Sequence, residues 1–162
     1  MIEYTIREIN TEEIPLLKYF LYEAIFQKDE DNLAPFEIIN KPELSIYIDD
    51  FGKPDDYCLV AEVDGKIVGA VWTRILAGDV KGYGNTDNRT PEFAISLYKE
   101  YRNKGIGTKL MLNMLQLLKD KGYAQASLAV QKDNYAVKMY KTVGFETVQE
   151  LTEEYLMICK LN

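Results

Sequence analysis

The chain has 162 residues, of which 47% are hydrophobic and 12% aromatic, and a formal net charge of −7. That length and apolar fraction suit a single domain over residues 1–162 with one packed core, and exclude disorder. The acidic balance excludes nucleic acid and anionic membranes as partners, since both call for a surface that neutralises phosphate.

The pattern of apolar residues predicts the elements in order. Glu3–Ile9 alternates as a short strand. Thr11 is positioned to cap a helix running to about Gln27, with Pro15 in the first turn, where a missing N–H costs little. Lys28–Asn40 is polar, contains Pro35 and reads as a loop. Pro42–Asp50 reads as a second short helix. Tyr57–Val63 and Lys66–Ile75 are strands joined by the hairpin turn Asp64-Gly65. Ala77–Thr90 is a Gly- and Asp-rich loop. Glu92–Tyr98 alternates again, with Phe93, Ile95 and Leu97 on one face and Glu92, Ala94, Ser96 and Tyr98 on the other.

Gly105–Lys121 is the strongest helix, with Ile106, Leu110, Met114, Leu117 and Leu118 on its apolar side and Gly122 stopping it. Ala124–Val130 is a strand. A helix capped by Asp133 or Asn134 then runs to Val143, and Phe145–Gln149 with Tyr155–Leu161 closes the fold as an antiparallel pair. The order β-α-α-β-β-β-α-β-α-β-β predicts an α/β fold, a mixed sheet with helices on both faces.

Histidine is absent. Ser-His-Asp triads, Cys-His pairs and His-ligated zinc are therefore excluded, and no metal is expected. Cys58 and Cys159 sit in apolar runs and read as buried thiols of a cytoplasmic protein. No apolar run reaches the roughly 18 residues of a membrane helix, and the N-terminus lacks a signal-peptide pattern.

The central motif is Tyr101-Arg102-Asn103-Lys104-Gly105-Ile106-Gly107-Thr108-Lys109, between a strand and the strongest helix. A helix start leaves about four N–H groups without partners and carries partial positive charge. Glycines at 105 and 107 let an anion approach that backbone, and Arg102, Lys104 and Lys109 add charge. A Walker A loop is absent, and a dinucleotide fingerprint would need glycine where Leu110 stands.

Arg102-x-x-Gly105-x-Gly107 resembles the acetyl-CoA signature of the GNAT superfamily of N-acetyltransferases. Asn134-x-Ala136-x-x-x-Tyr140-x-x-x-Gly144-Phe145 is similar to that family's second signature, and Val60–Gly69 to its second and third strands. The resemblance covers roughly residues 2–161. It implies that the amides of Lys104–Lys109 bind the pyrophosphate of acetyl-CoA. It implies further that Leu97, Tyr98, Lys99 and Asn134 hold the pantetheine arm, and that an amine, on a small molecule or a protein, accepts the acetyl group. Homodimers are common in the family.

An alkylammonium near pKa 10 must lose a proton before it can attack, and a departing thiolate must gain one. The resemblance implies Tyr140 as the acid and Glu92 as the base, commonly through water, with Asp87 and Tyr83 as fallback bases. Tyr140 also reads as a core aromatic on the face of Ala136, Met139 and Val143, and Glu92 as a solvated strand end. Trp72 and Arg74 share a strand face and, with Tyr83, Phe36 and Tyr47, are candidates to line the acceptor pocket; ordinary packing is the alternative for each. A non-catalytic acyl-CoA sensor would keep the glycine loop but could lose the tyrosine; both are present here.

Overall fold

The computed structural model describes residues 2–162. Seven strands form one sheet in the order β1-β2-β3-β4-β5-β7-β6. They are β1 Thr5–Glu8, β2 Tyr57–Val63, β3 Lys66–Arg74, β4 Glu92–Leu97, β5 Gln125–Gln131, β6 Glu146–Glu150 and β7 Glu154–Lys160. Every neighbouring pair is antiparallel except β4 and β5. The hairpin between β2 and β3 turns on Asp64 and Gly65, both at positive φ (49° and 79°), as a tight Asp-Gly turn requires.

The sheet is covered on both faces. On one lies α3 (Ile106–Asp120), whose Ile106, Leu110, Met111, Met114 and Leu118 pack with Val71, Phe93, Leu128, Phe145 and Met157. On the other lie α1 (Leu17–Ala24) and α2 (Pro42–Ser45), where Leu17, Phe20 and Leu21 pack with Val60, Ala70 and Trp72. The strand alternation thus divides one sheet between two cores. A fourth helix, α4 (Ala136–Val143), follows β5 and ends at Gly144, whose φ of 119° closes it in the left-handed region. Cys58 and Cys159 are buried free thiols in opposite cores.

The early region departs from the sequence reading. The first helix is a 3₁₀ turn over Thr11–Leu16 followed by α1, and Pro15 lies inside the 3₁₀ part. Proline supplies no N–H for an i→i−4 bond, so the regular helix begins only after it. The cap is Asn10, not Thr11: the Asn10 N–H donates to Glu13 Oε1 at 2.8 Å. The expected loop Lys28–Asn40 holds a 3₁₀ turn at Phe36–Asn40, and α2 is one turn long.

The feature that positions the site is the join between β4 and β5. Their parallel ladder has one register pair, Glu92 with Ser127, and the Ser127 N–H donates to the Pro91 carbonyl at 2.9 Å. Beyond that point no pairing joins them, so the sheet opens into a gap along Ala94–Leu97.

Candidate active site

The glycine loop folds as the motif requires. Arg102 follows a 3₁₀ turn (Lys99–Tyr101); Asn103 (φ 60°) and Gly105 (φ 85°) both adopt left-handed backbone. Gly105 is the N-cap of α3, and having no side chain it offers the helix no capping oxygen. The first helical bond runs from the Lys109 N–H to the Gly105 carbonyl, at 3.2 Å. The amides of Ile106, Gly107 and Thr108 therefore remain without helical acceptors, while that of Lys109 is already engaged. The Ile106 side chain is buried in the core, so it meets the loop only through its backbone. Lys104 and Lys109 are exposed. A Cβ on Gly107 would stand 3.2 Å from Leu97 Cδ1 and 3.6 Å from Met139 Sδ, both on residues that line the groove described below.

Arg102 fastens this loop to the strand before it. Its Nε–H donates to the Leu97 carbonyl at 3.0 Å, and its Nη2 reaches Glu23 on α1 at 3.2 Å. The Tyr98 N–H is engaged with the Val68 carbonyl of β3 at 3.0 Å. Backbone alternation then turns the amide groups of Ile95 and Leu97, not Tyr98, toward the gap beside β5. Ile95 was invisible to sequence reading as a backbone contact, because nothing local shows where the sheet opens.

The gap belongs to a groove of about 1110 Å³. Ile95, Leu97, Arg102, Gly105, Gly107 and Thr108 form one side, and Asn134, Met139 and Tyr140 another. The segment after α1, including Phe26 and Leu33, closes over it. Lys28 pairs with Asp133 and Lys99 with Glu30 (3.0 Å), tying that segment to both loops that border the groove. Asn134 Oδ1 accepts the N–H of Ala136, the first residue of α4, at 2.9 Å. Tyr140 is half-buried, packs edge-on to Phe145 at 6.2 Å, and its hydroxyl has no hydrogen-bond partner among the described residues. Burial holds its phenol above the ordinary range, with Tyr135 adding to the effect, so it is fully protonated near neutrality.

Glu92 stands at the apex of the opening and is 3% exposed, not the solvated strand end that the sequence also allowed. Its Oε2 accepts from the Tyr47 hydroxyl and from the Gly84 N–H (3.0 Å), while Oε1 has no partner. Burial pushes its carboxyl up to about 7, despite the opposing hydrogen bonds from Tyr47 and Gly84. Gly82 is obligatory here: a Cβ would fall 2.0 Å from Glu92 Oε1. Gly84 in turn packs against the Leu128 backbone, and its carbonyl accepts from Ser127 Oγ at 2.7 Å.

The remaining acceptor candidates divide. Phe36 and Tyr83 are exposed, at 38% and 52%. Phe36 packs with Tyr19 and Tyr22. Trp72 and Arg74 are buried, and both side chains are engaged in packing away from the groove. The Trp72 indole donates to the Tyr47 carbonyl at 3.0 Å. Arg74 donates to the Ile46 carbonyl at 2.9 Å, pairs with Asp56 at 3.1 Å and lies over the Phe51 ring. Strand alternation gave their shared face correctly, but α2 and the turn after it cover that face. Asp87 bonds within its own loop, to the Arg89 N–H at 2.8 Å.

The acetyltransferase (GNAT) family description fits residues 21–145. The chain belongs to that family. Over 143 residues it is 32% identical to an acetyltransferase of Pectobacterium atrosepticum, covering 86% of this chain and 92% of that one. It is 33% identical over 100 residues to an N-alpha-acetyltransferase of Sulfurisphaera tokodaii, covering 59% and 60%. The fold superposes on the PaiA N-acetyltransferase of Thermoplasma acidophilum, solved with coenzyme A, at a TM-score of 0.71 and 21% identity, over 98% of this chain and 99% of that one. As a member of the family the protein is an acetyl-CoA-dependent N-acetyltransferase. Among the described residues no helix is long and apolar enough to cross a membrane.

Proposed function

We propose that the protein moves the acetyl group of acetyl-CoA to a primary amine by direct attack in a ternary complex, with Tyr140 as general acid and Glu92 as general base. The observation that carries this reading is the set of free amides at Ile106, Gly107 and Thr108, opening onto the unpaired edge of β4. Diphosphate oxygens suit the amides and the positive end of α3. An extended arm carrying its own amides suits the Ile95 and Leu97 backbone, as an added strand would. The Thermoplasma protein of the same fold was solved in complex with coenzyme A, which supports coenzyme A as the kind of ligand such a fold holds. Five residues separate Leu97 from Glu92, about 16 Å at roughly 3.3 Å per strand residue, so the reactive end of such an arm points toward the apex.

At the apex the amine gives a proton to Glu92, directly or through water. A group near pKa 7 is substantially ionised at neutral pH and still basic enough to accept a proton. The nitrogen forms a bond to the acetyl carbon, and the C–S bond breaks. Tyr140 gives its proton to the leaving sulfur, and the second proton that the nitrogen sheds as the amide forms restores the phenol. Burial raises the phenol's pKa and so weakens it as an acid, but the same burial raises the basicity of a thiolate beside it, which offsets that loss. The acceptor is an amine of a small molecule or of a protein N-terminus; the Sulfurisphaera relative's name favours the latter.

The test is release of free thiol from acetyl-CoA across a panel of amines and N-terminal peptides, comparing the protein with Tyr140→Phe and Glu92→Gln. Glu92→Gln is expected to remove the acidic limb of the rate profile. Equal turnover in all three proteins would refute both roles.

A further inference from the structure

We propose that Tyr47 is a positioning residue whose single hydroxyl joins the Glu92 carboxylate to the exposed acceptor-side segment at Tyr83. This inference rests on the reading of Glu92 as the base. The Tyr47 hydroxyl donates to Glu92 Oε2 and accepts the Tyr83 N–H at 2.9 Å. Both capacities of that oxygen for strong bonds are thus filled, one by the base and one by the main chain of the loop bordering it. Gly84, next in the same loop, gives Glu92 its second donor.

The ring is itself held from β3. The Trp72 indole fixes the Tyr47 carbonyl, and Arg74, with its charge balanced by Asp56, fixes the preceding carbonyl of Ile46. Two side chains that touch no part of the groove therefore set the position of a third, which sets the rotamer of the carboxylate. Without these donors, a carboxylate with one unpartnered oxygen against Gly82 would have only packing to orient it.

The charged and titratable groups around Glu92 define the electrostatic expectation. Arg74 is its register partner on β3 but turns its guanidinium to Asp56. Glu154 at the start of β7 opposes ionisation of Glu92, and Tyr47 favours it. Burial and the Glu92 charge together hold the Tyr47 phenol well above its ordinary range, so Tyr47 stays a donor throughout the working pH range. Removing its hydroxyl withdraws a bond to the charged form of Glu92 and raises the midpoint of that carboxyl.

The experiment follows the carboxyl carbon of Glu92 by ¹³C NMR in protein labelled at glutamate, assigned by the signal that Glu92→Gln removes. Tyr47→Phe is expected to raise the titration midpoint by about one pH unit and to move the acidic limb of kcat/KM upward by the same amount. Site-specific 3-fluorotyrosine at 47, a stronger donor of the same shape, should move both midpoints downward and guards against a misfolded variant. A Glu92 midpoint that neither substitution shifts overturns the positioning role. A parent rate profile that Glu92→Gln leaves intact overturns the base reading instead, whichever way the NMR midpoint moves.

Discussion

Gly107→Asp separates the fold from the proposed cofactor grip. Within a helix, aspartate is favoured over glycine by about a few tenths of a kcal/mol, and a carboxylate in the first turn gains about 0.3–1 kcal/mol from the helix dipole. The new Cβ would stand 3.2 Å from Leu97 Cδ1, the end of a flexible side chain that can give by a few tenths of an ångström. The two effects oppose each other, so the melting temperature should stay within a few degrees of the parent. The ligand has no such latitude. A carboxylate at the helix start sets a like charge beside the diphosphate and competes for the same amides, and losing one hydrogen bond to a charged phosphate costs about 1.5–3 kcal/mol, or roughly 10- to 150-fold in Kd. Isothermal titration with coenzyme A, beside a thermal melt, measures both quantities. A Kd within twofold of the parent in a folded variant would refute the reasoning.

Other substitutions test the remaining parts. Tyr140→Phe removes a hydroxyl without a protein partner, so stability should barely change while kcat falls about 10²- to 10⁴-fold at unchanged coenzyme A affinity, as read by thiol release and titration. Arg74→Ala leaves the buried Asp56 carboxylate without its charge partner, held only by the Gly52 and Lys53 N–H groups, and should cost about 3 kcal/mol in urea denaturation. Glu92 is raised from 4.5 to about 7 in the folded chain, so the folded state holds its proton more tightly than the unfolded one. Its contribution to stability is full below pH 4.5 and is lost as pH rises through 7, an effect on the order of 3 kcal/mol. Urea midpoints at pH 5 and pH 8 should show that decline in the parent and a flatter response in Glu92→Gln.

What the sequence made legible was what local chemistry decides. Tyr57–Val63 is a near-continuous apolar run between Asp56 and an Asp-Gly turn, and the strand has those bounds. The glycine loop and α3 are likewise written in one stretch of chain, so a glycine-eased turn opening directly into that helix followed from spacing alone. Contacts between distant segments were not legible. The hydroxyl of Tyr47 meets a carboxylate 45 residues away, and only the folded loop around Gly82 and Gly84 brings them together. The burial of Trp72 and Arg74 depends on which elements cover one face of β3, which alternation does not encode. Ile95 acquires its free backbone from the parting of β4 and β5, a property of the whole sheet. The 3₁₀ turn at Thr11–Leu16 was missed because a proline in the first turn fits a regular helix equally well, and the one at Phe36–Asn40 because a polar stretch with Pro35 reads as a loop.

The central claim is that main-chain amides opening α3 grip the diphosphate. Amide chemical shifts followed by ¹⁵N NMR during titration with coenzyme A test it most directly, with pantetheine, which lacks the diphosphate, as the comparison. The account predicts large downfield proton shifts at Ile106, Gly107 and Thr108 with coenzyme A and little change there with pantetheine. Unchanged amides at those residues in protein saturated with coenzyme A would contradict it.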